Sequence, residues 1–304
     1  MASVTDTPLS FDQQRQRNGL IAGLSAYTLW GFLPLLFKLV EHVGSVAVVA
    51  ERTFWTLILV GAVFIMTRRL KEVRAAFGNA KALRALIISA LLLGSNWLIY
   101  VWSVESGQVL EASFGYFINP MISVAIGMIF LGERQNRTQS IAIAIAIVAL
   151  VIQAVGLGHI PYIALGLAIT FAFYGYVRKT VSVNATTGLM VETLLLAPLA
   201  IGYLVYDLAT RGIGHHADPR TLFFLILTGP GTAAPLLLFT FAVQRLRLTT
   251  MGMLQYIAPS IAFVLAITVF GEHLNLTRII SFGLIWFSLM VFTLGSMQRR
   301  PAAA

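Results

Sequence analysis

Long apolar runs alternate with short polar breaks along the whole chain. A helix crosses a bilayer in about 20 mostly apolar residues. By that measure there are ten spans, roughly 19–39, 46–67, 84–104, 109–131, 138–156, 161–180, 188–206, 221–243, 248–270 and 277–297. In hydrocarbon every backbone N–H and C=O has to be paired internally, and these runs lack the alternation of barrel strands, so they predict helices. Pro161 suits the first turn of its helix. Asn275 and Thr277 are candidate N-caps for the last helix. The Asn-Arg-Thr and Asn-Leu-Thr triplets sit at helix mouths, where capping is a better reading than glycosylation. The first run follows Arg15 and Arg17, is long for a signal peptide and has no small-x-small site after it, so it predicts a retained first span.

Composition agrees. Of 304 residues 58% are hydrophobic and 11% charged, whereas a soluble domain is about a quarter charged. The chain reads as an all-α integral membrane protein. It has no cysteine, which excludes a disulfide framework, a thiolate nucleophile and a cysteine metal site.

The net charge of +9 is explained by where the cations fall. With the N-terminus in the cytoplasm, Arg15, Arg17, the 68–84 cluster, Arg134, Arg137, Arg178, Lys179, Arg245, Arg247, Arg299 and Arg300 all lie inside. Lys38, Arg211, Arg220 and Arg278 lie outside. The bias is roughly four to one, a positive-inside signal. It predicts a multi-pass protein of the cytoplasmic (inner) membrane with both termini cytoplasmic. A nucleic-acid surface would need the cations on one soluble face, and there is no soluble domain.

The stretch Leu110–Glu133, "LEASFGYFINPMISVAIGMIFLGE", is echoed by Thr249–Glu272, "TTMGMLQYIAPSIAFVLAITVFGE". Pro120 and Pro259 are 259 − 120 = 139 residues apart, and Ile118/Ile257, Gly132/Gly271 and Glu133/Glu272 keep that offset. Upstream, Trp30 faces Tyr174 and Glu51 faces Glu192 at similar offsets. The chain therefore reads as two five-span repeats, 18–156 and 157–297, between tails 1–17 and 298–304. Five is odd, so the second repeat enters the membrane inverted, the arrangement on which alternating access around a central cavity rests.

Charges within the spans mark candidate chemistry. Glu192 is suited to bind a cationic group or carry a coupling proton; its structural alternative is a partner for Arg52 or Lys179. Arg52 is suited to a carboxylate solute, or to pairing with Glu51, Glu192 or Glu111, and the pairing is slightly favoured. Glu111 opens its span, where capping explains it fully. Lys38 is expected to snorkel outward. Pro120 and Pro259 are expected to break their helices at matched depths, freeing the carbonyls of Tyr116 and Gln255. Paired breaks point to a transporter's site, which makes Tyr116, Asn119, Gln255 and Tyr256 candidate lining groups. Asn96 and Tyr100 share a helix face and suggest a solute contact. Trp97 is either part of that face or an interfacial belt residue, and Trp30 and Tyr174 are matched aromatics for which packing is the favoured reading. Gly19 and Gly23 permit close helix contact. His215, His216 and Asp218 read as a solvated loop and not a metal site.

Several longer stretches carry a resemblance. "NWLIYVWSV" (Asn96–Val104), "LEASFGYFINP" (Leu110–Pro120), "FLGE" (Phe130–Glu133), "FAFYGYVRK" (Phe171–Lys179), Glu192-Thr193 with Pro198, and "QYIAPS" (Gln255–Ser260) resemble the RarD-type proteins of the EamA family, in the drug/metabolite transporter superfamily. The resemblance covers the chain from about Gly19 to the last span. It implies ten helices, the first four of each half around a central cavity, and export of a drug-like or metabolic solute, as the label chloramphenicol-sensitive protein suggests. The usual His-Arg pair of the second span is Glu51-Arg52 here.

The expected function is secondary-active transport of a small metabolite or amphipathic solute, exported or exchanged, with the bilayer and the solute as partners and the proton as a candidate co-substrate. A channel-like permease or membrane sensor is the alternative, but a channel should show a repeated polar stripe or charge ring. Enzyme motifs are absent from the sequence, and "GPGT" (Gly229–Thr232) lacks the lysine of a phosphate loop, so no cofactor, metal or catalytic residue is expected.

Overall fold

The computed structural model describes residues 10–106, 109–157, 160–269 and 276–297. Among them the regular structure is all helical. Ser10 opens α1 (Phe11–Leu39) with a capping box: its hydroxyl accepts the Gln13 N–H at 3.3 Å and the Gln13 side chain accepts the Ser10 N–H at 2.9 Å. That box carries the helix several residues ahead of the apolar run, through glutamines and arginines that are good helix formers. A short 3-10 turn and Gly44, at φ +92°, lead into α2 (Ser45–Met66).

The polar stretch that hydropathy leaves between spans is itself a helix, α3 (Leu70–Gly78). Val73 and Ala76, three residues apart, give it one buried face. Then follow α4 (Ala80–Glu105), α5 (Val109–Phe130), α6 (Arg137–Leu157), α7 (Tyr162–Thr180), α8 (Ala185–Arg211) and α9 (Pro219–Val243). The last elements are α10 (Leu248–Gln255), α11 (Ile257–Thr268) and α12 (Leu276–Met297). Among the described residues eight helices are long and apolar enough to cross a membrane, with α10 and α11 counted together over Leu248–Leu265, and Phe114–Phe130 is a shorter apolar one. Ile129, Val155 and Leu199 stand 75%, 75% and 74% exposed on the outside of the bundle. In water such a surface would aggregate; against lipid it is the expected boundary.

Polar side chains start the helices. Asn136 and Gln139 cap α6 reciprocally, at 2.8 and 3.2 Å. Asn184 caps α8 through the Thr187 N–H, and Asp218 caps α9. Asn275 lies outside the described residues, as does the Thr277 side chain.

The two proline-containing helices differ. α5 runs continuously through Pro120. The later helix is divided at Tyr256 into α10 and α11, and Pro259 lies in the first turn of α11. The expected pair of matched breaks is therefore one break and one continuous helix. A proline removes one hydrogen bond at a time, and tertiary packing carries α5 across the gap.

Packing is matched between the first five long helices (α1, α2, α4, α5, α6) and the later set (α7, α8, α9, α10–α11, α12). Exchanging the sets maps the α1–α9 contact onto α7–α4, α2–α9 onto α8–α4, and α5–α7 onto α1–α11. It leaves α2–α8, α5–α10 and α6–α12 unchanged, and all of these contacts are present. Gly19 and Gly23 serve this packing. A Cβ at Gly19 would lie 3.0 Å from Arg245 Cβ, and one at Gly23 would lie 3.1 Å from Leu254.

Candidate functional site

The start of α1 and the end of α12 define one end of the bundle, called here the termini face. Arg52 lies in the half of the bundle away from it, in the second turn of α2. Its Nε donates to Thr232 Oγ1 of α9 at 3.1 Å. Its guanidinium stands over the Trp97 ring, 4.4 Å from the centroid, and over that of Phe37 at 5.6 Å, a cation against two aromatic faces. Tyr100 and Tyr116 are near enough to interact with it electrostatically. Tyr116 is 49% exposed. An adjoining narrow cleft of about 10 Å³, room for about one water, lies between α2, α4, α8 and α9, with Trp97 and Thr232 on its wall beside Thr53, Thr56, Leu93 and Glu192.

Arg52 makes no ion pair among the described residues. Of the three acids expected to pair with it, Glu51 and Glu192 are engaged elsewhere. Glu51, only 2% exposed, accepts from Trp55 Nε1 at 2.8 Å and meets His216 Nε2 at 2.6 Å. His216 is therefore not an idle loop residue: the loop before α9 folds back over the end of α2 because a buried carboxylate requires a partner. Glu111, the third expected partner, has no described side chain.

Glu192 sits in the other half of the bundle, in the second turn of α8. Its partner is Arg178 and neither Arg52 nor Lys179. Arg178 Nε lies 3.5 Å from Glu192 Oε1, with side chains 0% and 1% exposed. Ser89 also donates to Oε1, and the Tyr174 hydroxyl donates to Oε2 at 3.4 Å. Gly188 makes room for the pair, since a Cβ there would collide with the Arg178 guanidinium. Arg178 thus leaves the set of membrane-surface cations and becomes an internal charge. Lys179 turns instead to the end of α9, donating to the carbonyls of Val243 and Leu246.

The remaining candidates are distributed by the same packing. The Asn96 amide donates to the Leu167 carbonyl and to Thr170, both at 2.9 Å, which ties α4 to α7. Trp97 and Tyr100, half-buried, do reach the Arg52 cluster. Tyr174 is fully buried and stacks on Phe239 at 5.9 Å; with Trp30, 5.7 Å from both Phe171 and Phe239, it is part of an aromatic core. Asn119, Gln255 and Tyr256 are buried where α5 crosses α10. There a Cβ on Gly252 would lie 2.6 Å from the Pro120 carbonyl oxygen. In this conformation these three residues face packed protein and not the cleft.

Sequence reasoning passed over Glu133. It leaves α5 through Gly132, whose φ of +63° suits glycine. Its Oε1 accepts the Leu248 N–H at 2.6 Å, and its Oε2 accepts the Thr249 N–H at 2.9 Å and the Thr249 hydroxyl at 2.6 Å. The acid that closes the first copy of the repeated phrase thus caps the helix that opens the second. Gln135 donates to Thr249 at 2.9 Å, and Arg247 donates to the Arg134 carbonyl at 2.6 Å. Together they close the termini face between α5 and α10. Glu272, the repeat partner, lies outside the described residues.

Comparison with known proteins fits this geometry. A model described as the EamA-like transporter family matches residues 17–154. Protein RarD of Escherichia coli (strain K12) is 40% identical over 296 residues, 96% of this chain and 99% of that protein. An "uncharacterized transporter" of Vibrio cholerae serotype O1 is 38% identical over 294 residues, 96% of this chain and 97% of its own length. A solved protein crystal structure superposes with a TM-score of 0.70 at 18% identity, over 93% of this chain and 100% of that one. At that identity the likeness speaks for the fold alone.

Proposed function

The chain belongs to the EamA-like transporter family, within the drug/metabolite transporter superfamily, and on that premise we propose that it is a secondary carrier for a small solute, working by alternating access. In this reading ten spans form two inverted halves, 18–156 and 157–297, which rock about the crossing of α5 and α10. The termini and tails are cytoplasmic in the inner membrane. The matched helix contacts support the two halves, and the sequence repeat supports their inversion.

One observation carries the proposal. The Arg52–Trp97 cluster and its cleft draw on helices from both halves, while Glu133 seals the termini face between α5 and α10. A site shared by the two halves, above a seal at one end, is what one end-state of a carrier would present. The other state would release the Glu133 cap and close over Arg52.

The test is counterflow. Proteoliposomes loaded with one solute are followed for uptake of a labelled trace across amino acids, nucleobases and chloramphenicol-like amphipaths, with and without a pH gradient. Saturable, accelerated exchange is expected for at least one class; flux without counterflow would favour a channel. The same assay with Glu192→Gln tests the proton role. pH dependence that survives this change removes Glu192 from coupling and leaves it a structural partner of Arg178.

A further inference from the structure

We propose that Arg52 is the anchor for a carboxylate group on the solute, a specificity that rests on the carrier reading above. The structure has fixed this guanidinium without neutralising it among the described residues. Thr232 holds Nε, and the Trp97 and Phe37 rings hold the plane. The terminal nitrogens make no hydrogen bond to protein among the described residues. Of the carboxylates that sequence spacing would offer, Glu51 is consumed by His216 and Trp55, and Glu192 by Arg178, Ser89 and Tyr174, while the Glu111 side chain lies outside the described residues. A cation inside a membrane protein is costly unless something neutralises it, and here the neutralising group is left for the ligand.

The chemistry narrows the ligand. A guanidinium fork matches the two oxygens of a carboxylate. A single cation, with no second one beside it among the described residues, suits a monoanion better than a phosphate. The adjoining cleft is walled by Leu93, Leu189, Leu196 and Leu236 as well as threonines, a lining against which an apolar substituent would pack once the cleft widens around it. The class is a monocarboxylate with a small apolar or aromatic substituent. The phenols of Tyr100 and Tyr116 stand beside the anion site, where they can donate to carboxylate oxygens.

The experiment compares phenylacetate with its neutral isostere phenylacetamide on the purified full chain, by calorimetric titration. Wild type should bind the acid about ten- to a hundredfold more tightly than the amide, the range of one charge-assisted contact. Arg52→Gln should erase that preference, and Arg52→Lys should keep part of it. Thr232→Val keeps the charge but frees Nε, so it should weaken acid binding several-fold and leave amide binding alone, whether or not Arg52→Gln folds. Equal binding of acid and amide by folded wild type, or no binding of either, overturns the proposal; so does an acid preference that survives Arg52→Gln. The carrier reading fails separately: Arg52-dependent acid binding without counterflow of any solute would sink transport and keep the anion site. Counterflow of neutral solutes without acid selectivity would do the reverse.

Discussion

The hydroxyl of Tyr256 donates to the carbonyl of Phe117 at 3.3 Å, and the two residues are 139 positions apart, the offset of the internal repeat. Equivalent points of the two halves therefore touch each other. In the proposed two-fold arrangement such a contact would lie on or near the axis relating the halves, at the place where Gly252 lets α10 press against Pro120. The proposed rocking would take the α5–α10 crossing as its pivot.

Tyr256→Phe removes that bond while the Phe117 carbonyl keeps its place in the α5 ladder, so it should cost about 0.5–1.5 kcal/mol. Gly252→Ala pushes a methyl into the Pro120 backbone and should cost about 1–3 kcal/mol by overpacking. Thermal unfolding in detergent reads both. A melting temperature unmoved by Gly252→Ala would show that the crossing is looser than described.

Arg178 and Glu192 should behave as a unit. Removing either partner leaves an uncompensated buried charge and should cost about 3–5 kcal/mol, while Arg178→Met with Glu192→Leu should recover most of that loss. Lys179→Met should lack this coupling to Glu192. A double-mutant cycle on unfolding midpoints measures the difference, and additive losses at Arg178 and Glu192 would contradict the pairing.

His216→Ala should strand the Glu51 carboxylate and cost about 1–3 kcal/mol, and Glu51→Gln in that background should restore stability. Faster amide exchange in the loop before α9 is expected in the single variant. An unchanged exchange pattern would return His216 to the solvated-loop reading.

Glu72 reports on pH outside the membrane. The bidentate bonds from Arg69, then those from Thr187 and Asn184, hold its carboxyl at about 2 against the usual 4.5. A carboxylate depressed on folding stabilises fully above its unfolded value and loses that contribution as pH falls through the folded one. The tie between α3 and α8 should therefore persist at pH 5 and weaken between about 4.5 and about 2. An NMR titration of the Glu72 side chain checks it. A midpoint near 4.5 would mean the tie does not hold in solution.

Much of this was legible in advance. Apolar run length found the long helices, because desolvation leaves a chain in lipid few alternatives. Asn136 was legible as a cap because capping is local. What hydropathy hid was pairing across distance. Arg178 stands beside Lys179 at a helix end and reads as a surface cation until Gly188 is seen to admit it. Thr232 sat inside a glycine-proline stretch that was informative only for lacking a phosphate-loop lysine. Its role depends on Gly229 letting α9 approach α2, where a Cβ would come 2.7 Å from Trp55 Cβ. Glu133 was visible as part of a repeated phrase, but a repeat shows equivalence and not contact. Arg52 and Glu51, neighbours in sequence, point to different partners, which spacing alone does not decide.

The central claim is that the two ends of the bundle open in turn. The chain has no cysteine, so spin labels can be placed at will: Arg134 with Arg247 across the Glu133 seal, and Glu41 with Arg220 at the opposite end. Distances between the labels would be measured by double electron–electron resonance in lipid nanodiscs, with and without a solute that gives counterflow. The account predicts two populations for each pair, with the seal distance lengthening as the opposite one shortens. A single distance at each end, unmoved by a transported solute, would contradict it.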